Sequence, residues 1–73
     1  MALSAENIEK AKGKAIEYLE YSIYVLAMLL GVDLDEIDEN STNPIDPANT
    51  ETYHAYENLL MQVRSYVSLT ATA

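Results

Sequence analysis

IEYLEYSIYVLAMLL, residues Ile16 to Leu30, is the part of this chain whose apolar side chains point in more than one direction. At 100° per residue, Ile8, Ala15, Leu19, Ile23, Leu26 and Leu30 form one seam along a helix, with Ile16 beside it. Tyr18, Tyr21, Val25, Met28 and Leu29 form a second apolar strip. Glu6, Glu9, Glu17 and Glu20 occupy a polar wedge. The C-terminal half of the helix is therefore apolar over about two thirds of its circumference, more than one partner helix covers.

The borders of this helix are marked by chemistry. Ser4 is placed as an N-cap, with Leu3 and Ile8 set to form a hydrophobic staple and Glu6 and Glu9 at the positive helix end. Gly31 followed by Val32 has the form of a Schellman stop, the valine folding back on Leu26 or Ala27. The reading is a helix over residues 4–30, about 40 Å long.

Beyond it, Asp33, Asp35, Glu36, Asp38 and Glu39 make an acidic connection over residues 31–46, in which Asp33 and Glu36 suit a single helical turn. Asp46 and Pro47 form an N-cap and first-turn pair for a second helix over residues 47–69, followed by a tail at 70–73, and the alternation of Val67, Leu69 and Ala71 also fits a short strand. On that helix Tyr56, Leu59, Leu60, Val63, Tyr66 and Val67 lie on one side. His54, Glu57, Asn58, Met61, Arg64, Ser65 and Ser68 lie on the other, so it has one stripe to bury.

Two long helices with such a connection imply a single all-α domain over residues 1–73, an antiparallel helical hairpin. The expected register sets Leu30 beside Tyr53 and Tyr56, and Val63, Tyr66 and Val67 beside Ala11, Gly13 and Ala15. One stripe on the second helix cannot cover both surfaces of the first. The expected interface is therefore Tyr18, Tyr21, Val25, Met28 and Leu29, buried against a second copy in a dimer of hairpins, a four-helix bundle, or against another protein. A small domain without cysteine gains stability most readily by such association.

Composition narrows the function classes. Twelve acids against four bases, a net charge of -8, disfavour nucleic acid or an anionic membrane as direct partners. The first residues do not read as a secretory signal, and the longest apolar run falls short of a bilayer. These features indicate a soluble protein of the cytoplasm or of a virion-type assembly, not a secreted one. One histidine, no cysteine and no phosphate loop or serine elbow argue against an enzyme, and no cofactor or metal is expected. Glu51 and His54 have the Glu-x-x-His spacing of di-iron bundles, but they fall on the polar side of their helix. A calcium loop from Asp33 fails at Ile37, Asp38 and Pro44. The reading is a non-enzymatic assembly or adaptor module. Its alternative is an acidic inhibitor or decoy that docks a basic, nucleic-acid-binding type of protein surface through Asp33, Asp35, Glu36, Asp38 and Glu39.

Overall fold

A computed structural model describes residues 4–71. It is an all-α hairpin: α1 spans Ala5–Leu30, a single 3₁₀ turn spans Leu34–Glu36, and α2 spans Thr50–Thr70. The staple expected from Leu3, and the last two residues of the tail, lie outside the described residues.

The borders of α1 follow from side-chain and backbone bonds. The Asn7 amide donates to Ser4 Oγ at 3.1 Å, which satisfies one of the orphan donors of the first turn. At the other end Gly31 adopts φ 70°, a left-handed conformation that a β-carbon disfavours. Its amide donates to Met28 O, and the Val32 amide donates to Ala27 O at 2.9 Å, the paired bonds of a Schellman motif. Val32 then packs on the core, as the sequence implies.

The 3₁₀ turn forms where Asp33 was expected to cap it: Asp33 Oδ1 accepts from the Asp35 amide and Asp33 O from the Glu36 amide. The start of α2 differs from expectation. Asp46 does not cap a helix beginning at Pro47; its carboxylate accepts from the Ala48 amide and its carbonyl from the Asn49 amide, closing a turn. An Asx turn of this kind competes with capping for the same oxygen, so the helix begins at Thr50. At its far end α2 is helical through Leu69 and Thr70, which excludes the strand reading there, and Thr70 Oγ1 donates to Tyr66 O.

The core is where α1 meets α2. Ile23 and Ala27 cluster with Leu59 and Val63, and Leu19, Leu26, Leu30, Val32, Ile37 and Tyr66 pack around them. This is an antiparallel pairing in which residues 23 and 27 meet residues 63 and 59. Val63, Tyr66 and Val67 consequently border Glu20, Ile23 and Tyr24, not Ala11, Gly13 and Ala15 as expected. The register explains the difference: with Ile23 and Ala27 against Val63 and Leu59, α2 ends at Thr70 opposite the middle of α1. The first turns of α1 extend past the end of α2, which leaves Ile8 50% exposed although the wheel assigns it to the seam.

The connection is a third layer. Asn43 donates to Tyr53 O and to Glu57 Oε1, and its own Oδ1 accepts from the Ile45 amide. Arg64 reaches Glu39 O and Ser41 O. These bonds lay the connection along the Tyr53, Glu57 and Arg64 side of α2. Leu60, on the arc between those residues and the α1-facing ones, is 1% exposed. Glu57, assigned to the polar side, is half-buried because Asn43 engages it.

Candidate interaction surface

Among the described residues most of the second apolar strip of α1 is left uncovered. Tyr18 is 67% exposed, Tyr21 73%, Met28 62% and Leu29 76%. Val25 is half-buried because it borders Asn58 and Gln62 of α2. Tyr24, which the periodicity left unassigned, is exposed as well and extends the strip toward the connection.

Its placement follows from what surrounds α1. The α2 helix covers the side that carries Leu19, Ile23 and Leu26, while the segment from Leu34 to Ile37 closes on the neighbouring flank through the core contact of Ile37. That contact was missed because Ile37 sits among acids and a single apolar residue carries no period. On this flank a hollow of about 460 Å³ lies between Ile23, Tyr24, Leu34, Ile37, Val63 and Tyr66, with Glu20 and Asp38 also lining it. On the α2 flank a second hollow of about 290 Å³ is bordered by Tyr18, Tyr21, Ser22, Val25 and Gln62. The strip is the ridge between the two. Gln62 Oε1 is enclosed without a hydrogen-bond partner among the described residues, while its amide nitrogen donates to Asn58 Oδ1.

The overall dimensions give the exposed surface a scale. An 8.1 kDa chain folded to ordinary compactness exposes about 4,500 Å². This one exposes 5555 Å², and its radius of gyration of 14.4 Å exceeds the roughly 11 Å expected at this length. Both excesses follow from the elongated hairpin, 44 × 26 × 18 Å, which leaves much of each helix facing solvent.

The acidic residues are arranged differently from a free array. Asp33 is committed to the 3₁₀ turn, and Asp38 Oδ1 accepts from the Asn40 amide and, at 3.4 Å, from Ser41 Oγ. Asp35, Glu36 and Glu39 are exposed. Glu51 and His54 are exposed on α2, His54 standing edge-on to the Tyr53 ring at 5.8 Å. Glu20 lies at the opposite end of the hairpin, beside Tyr66 and Val67, so these residues are not brought together. Among the described residues no group of three or more His, Cys, Asp or Glu is arranged to hold a metal ion, and no helix is long and apolar enough to cross a membrane.

Protein-family models, curated proteins and solved structures were each compared with the chain, and none matches it.

Proposed function

We propose that this chain is a self-associating assembly module that acts by protein contacts, with Tyr18, Tyr21, Val25, Met28 and Leu29 as its interface and a dimer of hairpins as its basic unit. The observation that carries the reading is the exposure of that strip on a helix whose other side, from Leu19 to Leu30, is already packed against α2 and the connection. Burying each such side chain contributes about 1.5 to 3 kcal/mol, a sum comparable with the whole stability of a small domain. A hydrophobic contact of this size drives association even against a net charge of -8 on each copy.

The test is the mass in solution. At micromolar concentration native mass spectrometry and sedimentation should both give a dimer, and Tyr21→Glu with Met28→Glu should give a monomer of unchanged helicity. A wild-type chain that is monomeric at these concentrations overturns the proposal.

A second reading makes the connection a docking surface for a basic protein. The Asp33 turn supports it by holding Asp35 and Glu36, and the bonds from Arg64 by holding Glu39. Ionic strength separates the two, since an apolar interface survives added salt and an acidic docking patch weakens with screening.

A further inference from the structure

We propose that two copies pair through α1 in an antiparallel, two-fold arrangement, in which the Lys10 and Lys14 end of one copy lies against the acidic turn that follows α1 in the other. The proposal rests on the self-association reading above and adds its direction and register.

The distribution of charge is the first argument. Four basic residues serve twelve acids, and three of the four, Lys10, Lys12 and Lys14, fall within the first half of α1. The fourth, Arg64, is engaged with the carbonyls of the connection. Lys12 turns toward the seam side and is half-buried, whereas Lys10 and Lys14 continue the line of Tyr21, Val25 and Met28 toward the N-terminus. At the opposite end of the strip, Met28 shares a hollow with Asp33, Leu34 and Asp35. The strip thus runs from a mixed end, where Lys10 and Lys14 are balanced by Glu6 and Glu17, to an acidic one.

A contact between two such strips has two simple directions. The parallel one sets the acidic turn beside its own copy, which repels, and leaves the lysines no acids beyond those of their own ends. The antiparallel one sets unlike ends together twice, because a two-fold axis repeats every contact. Centring it between Tyr21 and Val25 pairs Tyr21 with the partner's Val25 and Tyr18 with the partner's Met28. Lys14 then arrives beside the partner's Asp33, and Lys10 over the turn that carries the partner's Asp35 and Glu36.

Two further observations agree with this register. The first turns of α1 overhang the end of α2, so the segment bearing Lys10 and Lys14 has room for a second copy. In the hairpin these lysines hold only exposed pairs with Glu6 and Glu17, at 3.5 and 3.6 Å, which cost little to exchange. Also, the hollow beside Ser22 and Val25 lies where the partner's Tyr21 is brought, and its lining includes Gln62, whose Oε1 lacks a donor.

Charge reversal tests the arrangement. Lys10→Glu with Lys14→Glu should weaken self-association on the order of tenfold or more at low salt. Adding Asp35→Lys and Glu36→Lys to the same chain should restore it, since both ends are then exchanged. All four side chains are exposed, and the slight loss of helicity from the broken pairs with Glu6 and Glu17 is common to the double and four-fold variants, so it cannot account for a difference between them. The four-fold variant, mixed with wild type and weighed by native mass spectrometry, should form homodimers and avoid mixed ones. Preference for mixed dimers would mean parallel pairing and overturn the proposal. A dimer indifferent to every reversal would also overturn it while leaving self-association standing, and a monomeric wild type would remove the underlying reading itself.

Discussion

The two helices solve the same problem with different success. On α2 the apolar residues occupy one side, and that side is shared between α1 and the connection, so Leu59, Leu60 and Val63 are buried at 0, 1 and 7% exposure. On α1 the apolar residues of the C-terminal half occupy two sides, and the hairpin supplies cover for one. Ala27 and Ile23 reach 2 and 8%, while Leu29, two residues after Ala27, is 76% exposed. A helix that is one-faced finds its complement within a small chain; a helix that is two-faced leaves one face exposed there.

The largest expected effect breaks the one-faced side. Leu59→Ala removes a fully buried side chain at the centre of the cluster and should cost about 2 to 5 kcal/mol, seen as a lower denaturation midpoint at every protein concentration. Met28→Ala is the control that sharpens the comparison. Its side chain is mostly exposed within the hairpin, so its effect should appear only in the concentration dependence of the midpoint.

Sequence carries the two-faced character of α1 because a 3.6-residue period over 26 residues leaves little ambiguity. Ser4, Gly31 and Asp33 were equally legible, each acting on backbone groups a few residues away. What could not be read depends on pairing between distant segments. Asn43, whose amide joins residues ten and fourteen positions away, looks like any loop asparagine in the sequence. Arg64 looks like a solvated surface residue until Glu39 and Ser41 are brought to it. The overhang of α1 depends on the register that sets Ile23 and Ala27 against Val63 and Leu59, and so it escaped periodicity as well. The strip itself was visible as a pattern, and Tyr24 follows Tyr18 and Tyr21 at the same three-residue spacing, while its place beside the Leu34 segment was not.

Asn43→Ala attacks the layer that separates the two sides of α1. It removes two donated bonds, at 3.0 and 3.1 Å, and the acceptor that orders Ile45, at a cost of about 1 to 2 kcal/mol. The change should appear as faster hydrogen exchange at the Ile45 amide and along the connection. If the connection then leaves the flank of α1, Ile37 no longer covers the cluster, and α1 becomes still more exposed. Unchanged exchange at Ile45 would mean that Arg64 and the packing of Ile37 hold the connection without Asn43.

The smallest effects come from the two glycines, and they should have opposite signs. Neither has a neighbouring atom that an added methyl group would meet, so backbone conformation alone distinguishes them. Gly13 lies inside α1 with an ordinary helical conformation, and Gly13→Ala should stabilise by up to about 1 kcal/mol through helix propensity. Fraying of the overhang reduces that gain. Gly31 sits at φ 70°, and Gly31→Ala should cost about 1 kcal/mol, a lowering of the melting temperature by roughly 4 to 8 °C. The consequence for the comparison is larger than the energy. The left-handed turn at Gly31 ends α1 just after Leu29 and Leu30 and sends Val32 back to the core. A chain that prefers to continue the helix there would carry the acidic residues away from Met28. If the charged turn pairs with the lysine end of a second copy, Gly31→Ala should weaken association as well as folding, while Gly13→Ala should leave association unchanged.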